Sequence, residues 1–268
     1  AVHVVDLEGD GTRRILAGSK TFMHGGRRVF GTLWCLDAAG QLLWHLYQSA
    51  GTVTSIATFA PNGDGPRRIA FGSGGGTYGV GSYVCDNRGG SVVRHIGGYG
   101  EKVVAVGPIG PDRGLRVVRL ERRDGTLIAY DAAEPYAERW RFRAGGLDAA
   151  GPVLADVNGD GQDEILVGSD GGSLFCLNDR ERPLTWRCNL GEPVCALAAG
   201  EFEPGRPGIL AGSSPGGVTA VSGDGTPLAR ADVGAPVTCV AVLALAPQQP
   251  AVAVAGTSAG RLTVFRLE

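Results

Sequence analysis

The chain has 268 residues, a net charge of −2 at pH 7 and a hydrophobic share of 43%. This near-neutral balance leaves no electrostatic footprint for nucleic acid, and no apolar run approaches the roughly 20 residues of a membrane span, so neither nucleic-acid binding nor membrane insertion is expected. Glycine supplies 45 residues, about 17% against a usual share of about 7%, and short apolar runs between glycines predict many short strands and tight turns.

Six units recur along the chain, with boundaries near 2–51, 52–102, 103–151, 152–193, 194–236 and 237–268. Each opens with an apolar strand, such as Val53-Thr54-Ser55-Ile56-Ala57 or Val194-Cys195-Ala196-Leu197-Ala198. A turn rich in Gly, Asp, Asn or Pro follows. The second strand ends on small residues: Ile15-Leu16-Ala17-Gly18-Ser19, Ile165-Leu166-Val167-Gly168-Ser169, Ile209-Leu210-Ala211-Gly212-Ser213. The third opens on glycine and alternates, as in Gly31-Thr32-Leu33-Trp34-Cys35-Leu36 and Gly172-Ser173-Leu174-Phe175-Cys176-Leu177. The fourth carries Trp44, Trp140 or Trp186. Four short strands at this period predict an all-β propeller of about six four-stranded blades in a single domain. A lone four-stranded sheet cannot bury both faces, and stacking sheets around an axis covers them. The bulky Trp34, Trp44, Phe175 and Trp186 then fill the space where neighbouring blades splay apart, as core residues. The sixth unit has three strands and no fourth, so either the ring closes imperfectly or the chain is a segment of a larger ring, with flanking domains of a longer chain.

The six cysteines, Cys35, Cys85, Cys176, Cys188, Cys195 and Cys239, form no CxxC pair and no Cys/His cluster with zinc spacing. Each falls in a predicted strand and reads as a small buried hydrophobe. Cys176 and Cys188 flank one hairpin, and their facing each other depends on register.

The fourth unit holds the sharpest motif, Asp156-Val157-Asn158-Gly159-Asp160-Gly161-Gln162-Asp163-Glu164. Oxygen-bearing side chains stand at loop positions 1, 3, 5 and 9, glycine at 6 permits a sharp bend, and the Gln162 carbonyl at 7 can join them. Hard oxygen ligands in this pattern suit calcium. An EF-hand is excluded, because no Glu stands at position 12 and strands flank the loop. The alternative is a turn held by Asx hydrogen bonds alone. In the first unit Asp6, Glu8 and Asp10 keep the early positions but Arg14 stands at position 9; in the second, Asn62 and Asp64 survive beside Ala60 and Arg68.

Asp156 to Gly168 resembles an FG-GAP repeat of the integrin-α and VCBS type. The resemblance implies a propeller and a Ca2+ ion in the hairpin between first and second strands, held by Asp156, Asn158, Asp160, the Gln162 carbonyl and Glu164. Glu164 departs from the aspartate usual at position 9. The stretch from Gly31 to Trp44 is similar to the quinoprotein-like (PQQ-type) repeat. No vicinal cysteine pair accompanies it, so no such cofactor is carried over. The FG-GAP resemblance points to an extracellular or periplasmic home, while dispersed cysteines are compatible with a cytoplasmic one.

Loops on a rigid scaffold are where binding residues concentrate. Two enlarged connections, residues 20–30 and 74–81, bring Lys20, His24, Arg27 and Tyr78, and nearby turns bring Tyr99, Arg122 and Arg123. These form the candidate ligand-binding set. No Gly-x-Ser-x-Gly elbow or phosphate-binding loop is present. The first reading is a non-catalytic recognition or scaffold module for a protein or polysaccharide partner. The alternative is a carbohydrate-active enzyme, a polysaccharide lyase or hydrolase using His24, Tyr78 and Arg27, and a PQQ-type dehydrogenase stands third.

Overall fold

The computed structural model describes residues 1–19, 22–24, 27–29, 31–47, 52–61, 65–74, 81–88, 92–96, 102–110, 112–121, 124–146, 150–244 and 249–266. These residues form strands and turns, with no helix among them. They fall into two compact units. The first comprises Ala1–Gly107, Leu115–Glu121 and Ile128–Glu138, and the second Pro108–Gly114, Arg122–Leu127 and Arg139–Glu268.

In the first unit, one sheet has the order β1 (Val2–Asp6), β2 (Arg13–Gly18), β5 (Thr32–Leu36), β6 (Leu42–Tyr47). The connection from β2 to β5, read from sequence as a loop, contains a short hairpin of β3 (Phe22–His24) and β4 (Arg27–Val29). A second sheet holds β7 (Thr52–Phe59), β8 (Arg68–Gly74), β9 (Ser82–Cys85) and β10 (Val92–Ile96). A third sheet, β11 (Lys102–Ile109), β12 (Gly114–Glu121), β13 (Thr126–Asp131) and β14 (Glu138–Arg143), contributes residues to both units.

The second unit continues with a fourth sheet of β15 (Ala150–Ala155), β16 (Glu164–Gly168), β17 (Ser173–Leu177) and β18 (Leu184–Asn189). The fifth sheet is β19 (Val194–Glu203), β20 (Arg206–Ser213), β21 (Gly217–Ser222) and β22 (Pro227–Asp232). The sixth has three strands, β23 (Val237–Leu243), β24 (Val252–Thr257) and β25 (Leu262–Arg266). Within every sheet, sequence neighbours are spatial neighbours, as short turns between antiparallel strands require.

The cores lie between sheets. Leu16, Leu33 and Cys35 of the first sheet meet Val53, Ile69 and Phe71 of the second. Leu166, Leu174 and Cys176 of the fourth meet Ile209 and Val221 of the fifth. Leu210 and Val218 of the fifth meet Val237, Ala253 and Ala255 of the sixth. Residues two apart along a strand share a face, so Leu33 with Cys35, Ile69 with Phe71, Leu174 with Cys176, and Ala253 with Ala255 each present one face of a strand to these cores.

The small residues ending the second strands have a packing cause. A methyl group built on Gly18 would lie 2.4 Å from Val53 Cγ1, on Gly168 2.3 Å from Val194 Cγ1, and on Gly212 2.5 Å from Val237 Cγ1. Each valine stands in the first or second position of the following sheet's first strand and rests on bare backbone of the sheet before it. Glycine is needed here for close approach rather than for an unusual φ.

The register also answers the cysteine question. Cys176 pairs with Trp186, and Cys188 pairs with Leu174, so Cys176 and Cys188 do not face each other. All six cysteines are free thiols. Cys35, Cys85, Cys176 and Cys188 are buried, as expected for small hydrophobes, and burial raises their thiol pKa values, to about 12 for Cys85 and Cys176. Cys239 departs from expectation: it is exposed, on a strand of the sixth sheet.

Candidate functional site

The second unit contains a cleft of about 900 Å3. One wall is the turn after β15, with Val157, Asn158 and Glu164, and the outer strand β18, with Thr185 and Trp186. The facing wall comes from the β19–β20 hairpin, with Phe202 and Arg206, and the β21–β22 turn, with Ser222 and Asp224. Apolar walls with a few converging polar groups are the usual make-up of a ligand site.

Trp186 forms the aromatic part. Its neighbour Cys188 points into the fourth-sheet core, and strand alternation turns Trp186 to the same side. Its Nε1 donates to the Gly223 carbonyl at 3.0 Å. Gly225, at φ +89°, lies against the six-membered ring, where a methyl group would be 2.8 Å from Cε3. The indole is therefore braced by the β21–β22 turn. Ser222 and Asp224 order that turn: the Ser222 hydroxyl donates to Asp224, whose carboxylate also accepts the Thr226 N–H at 3.0 Å. Those two bonds, Ser222 first, lower the Asp224 pKa. Across the cleft, Arg206 pairs with Glu203 at 3.1 Å.

The acidic turn, in the first wall, is held by its own hydrogen bonds. Asp156 accepts N–H groups from Gly159 and Gly161, each at 2.7 Å. Gly159 and Gly161 adopt φ of 78° and 80°, which glycine tolerates without a Cβ penalty. Asn158 Oδ1 accepts the Asp160 N–H at 2.8 Å, and Asp160 accepts the Gln162 N–H at 2.9 Å. Arg113, in the turn after β11, donates to the Gly161 carbonyl. Glu164 closes the loop: one oxygen accepts the Val157 N–H at 3.1 Å and the other the Asn158 side-chain amide at 2.9 Å.

Glu164 is 5% exposed, and its carboxyl pKa is pushed up to about 7. Burial is the main cause, opposed by the Val157 N–H and reinforced by the charges of Asp160, Asp156 and Asp163. Asp163 is raised too, by burial and then by Asp156. The turn of the first unit is built alike: Asp6 accepts Gly9 and Gly11 N–H groups at 2.8 and 2.7 Å, and these bonds, Gly11 first, hold its pKa low.

The five residues expected to hold calcium are thus brought together in one turn. Their oxygens are hard donors suited to that ion, but they already serve backbone N–H groups, and the Asn158 amide lies 2.9 Å from Glu164 and 3.3 Å from Asp160. No group of three or more His, Cys, Asp or Glu side chains converges for a metal among the described residues.

The enlarged-loop candidates fare differently. Lys20, Tyr78, Tyr99, Arg122 and Arg123 lie outside the described residues. His24 and Arg27 are backbone partners at the end of the β3–β4 hairpin, and their side chains lie outside the description. Trp186 packs against the fourth-sheet core, as expected from the sequence, and also borders the cleft, which the sequence does not reveal. The available signal was the Gly223-Asp224-Gly225 turn one repeat downstream, which has the small residues a braced indole needs.

No protein-family model matches this sequence, and no curated protein matches it. Among solved structures, the chain is similar to BBS1N in complex with ARL6DN, at 14% identity and a TM-score of 0.66, covering 100% of this chain and 92% of that one. It is similar to the Bacillus licheniformis rhamnogalacturonan lyase PL11 at 18% identity and a TM-score of 0.65, covering 98% of this chain and 56% of the lyase. The rhamnogalacturonan lyase YesW gives 16% identity and a TM-score of 0.66, with 97% and 56% covered. The chain therefore spans little more than half of either lyase. At these identities the likeness shows the fold alone: an all-β, propeller-like fold.

Proposed function

We propose that this chain is a recognition module whose sheets are propeller blades and whose cleft in the second unit seats a short segment of a neutral polysaccharide. The supporting observation is the braced indole of Trp186 beside Asn158, Thr185 and Asp224. A sugar ring stacks on a held aromatic face while its hydroxyls exchange hydrogen bonds with planar polar groups. The cleft lining carries Glu164, Glu203 and Asp224 against Arg206 and Arg266, a balance with no net cationic pull, which favours neutral sugars over uronates. Structures sharing the fold include one with a protein partner and two lyases of a polysaccharide, which is compatible with either kind of ligand.

The test is a glycan-array screen followed by calorimetric titration of the best neutral oligosaccharide. Binding is expected to fall at least tenfold in Trp186→Ala, with the melting transition still cooperative. Absence of neutral-glycan binding, or equal binding by Trp186→Ala, overturns the reading.

A second reading, a polysaccharide lyase or hydrolase, draws on Glu164. A carboxyl with a pKa of about 7 in a cleft can supply or take a proton near neutrality. Release of new reducing or unsaturated ends by the wild-type chain and not by Glu164→Gln supports it over simple binding. A calcium ion at Asp156, Asn158, Asp160, the Gln162 carbonyl and Glu164 belongs to the recognition reading. It would stiffen that wall of the cleft and keep Glu164 ionised, which is incompatible with the proton-transfer role of the second reading.

A further inference from the structure

Three outer strands share one irregularity. In the first sheet Cys35 pairs with Trp44 and Leu36 with Leu42, which leaves Leu43 as an extra residue in β6. In the fourth, Cys176 pairs with Trp186 and Leu177 with Leu184, which leaves Thr185 extra in β18. In the fifth, Ala220 pairs with Ala229 and Val221 with Pro227, which leaves Leu228 extra in β22. A bulge of this kind re-aims the side chain of its extra residue. Of these three places only the fourth sheet's carries a hydroxyl, and there the bulged residue lines the cleft beside Trp186. Regular alternation would turn two adjacent residues to opposite faces; the bulge brings both to the cleft.

The polarity of that hydroxyl is set from behind. Asn178 opens the β17–β18 turn, where its backbone N–H donates to the Pro183 carbonyl at 2.7 Å. Its side-chain Nδ2 donates to Thr185 Oγ1 at 3.1 Å. A hydroxyl carries one proton and two lone pairs. With a lone pair engaged by the amide, the proton points elsewhere, and no acceptor among the described residues takes it. Asn178 Oδ1 is buried and has no hydrogen-bond partner, so the amide itself does not reach into the cleft. In the other wall Asp224 is an acceptor, ordered by Ser222 and Thr226. The cleft therefore offers a donor at Thr185 on one wall and an acceptor at Asp224 on the other.

We propose, resting on the reading of the cleft as a seat for a neutral polysaccharide, that Thr185 is its specificity-determining donor: the hydroxyl, oriented by Asn178, gives a hydrogen bond to one acceptor oxygen of the sugar ring stacked on Trp186. Asn178 is a positioning residue that acts through Thr185. The cleft then selects sugars that keep an oxygen at that ring position.

The probes are cellotriose, mannotriose, galactotriose and xylotriose, titrated calorimetrically into the whole chain. The tightest binder is then remade with one hydroxyl at a time replaced by hydrogen, or by fluorine, which accepts a hydrogen bond and cannot donate one. Thr185→Val, which keeps the shape and removes the hydroxyl, is expected to bind the parent sugar about fivefold more weakly, the worth of one net hydrogen bond, and Thr185→Ser to bind it as wild type does. One deoxy sugar is expected to lose about fivefold with wild type and nothing further with Thr185→Val, and its fluoro counterpart to bind wild type better than the deoxy form. Asn178→Asp puts a carboxylate oxygen behind Thr185 that captures its proton, so this variant is expected to erase the same deoxy penalty while still melting cooperatively. A merely structural Asn178 would lower the melting temperature and leave that penalty in place. Equal binding by wild type and Thr185→Val, with Trp186→Ala still weakened, overturns this inference and leaves the reading of the cleft standing. So does a set of deoxy penalties that is the same in wild type and Thr185→Val. No binding of any of the four trisaccharides to wild type overturns both.

Discussion

Val194 rests on the bare Cα of Gly168, with 2.3 Å between its Cγ1 and the place a methyl on that glycine would occupy. The contact joins the fourth sheet to the fifth, and Gly18 with Val53 and Gly212 with Val237 repeat it. A small residue in one sheet and a β-branched residue in the next form one unit of stacking.

Gly168→Ala is expected to cost about 1–3 kcal/mol by overpacking. Val194→Gly removes both the Cγ1 at 2.3 Å and the Cβ at 2.6 Å, so the double variant should recover part of that loss. The coupling in a double-mutant cycle, read by urea unfolding, is expected to exceed about 0.5 kcal/mol. Additive effects would mean that the sheets shift apart without resistance.

Gly225→Ala strikes Trp186 from the other side. The residue has φ +89° and touches the indole ring, so a side chain there is strained twice, at roughly 1–3 kcal/mol. The indole must move from the Gly223 carbonyl. A red-shifted tryptophan emission together with weaker glycan binding is the expected result.

Glu164 sets a pH dependence whose sign follows from its raised pKa. Folding favours the neutral carboxyl, so its contribution is fully present below an unfolded value near 4.5 and is lost as pH rises toward the folded value of about 7. The lowered pKa of His3 acts oppositely near pH 6.5, so the comparison must be made against a variant. Wild type should lose more melting temperature than Glu164→Gln between pH 5 and pH 7.5. Equal losses would remove the buried carboxyl as the source.

Calcium gives an independent handle on the same turn. If the ion binds there, millimolar calcium raises the melting temperature at pH 7.5, and Asp160→Ala abolishes that rise. The variant also removes the acceptor of the Gln162 N–H, so the readout is the calcium increment and not the absolute stability. An unchanged increment in Asp160→Ala would move calcium elsewhere.

Much of the architecture was legible because it repeats. A glycine near the end of the second strand in five of the six units, and another at or just before each third strand, mark places where strands meet closely or turn, and such constraints leave a periodic trace. The acidic turn was legible for the same reason: Asp156, Gly159 and Gly161 satisfy only local needs. The cleft was not. Trp186 and Gly225 are 39 positions apart, and their contact depends on how two sheets lie together, which no local pattern encodes. The same holds for Cys239, which alternates like its buried counterparts on a face that the described residues leave uncovered.

That uncovered thiol has a practical use. Five of the six sulfurs are buried or half-buried, and only Cys239 faces water. A maleimide reagent under mild conditions should therefore attach a single dye or spin label, at a known place on the sixth sheet, without any engineered residue. Such a reporter would register any partner that arrives at the sixth sheet.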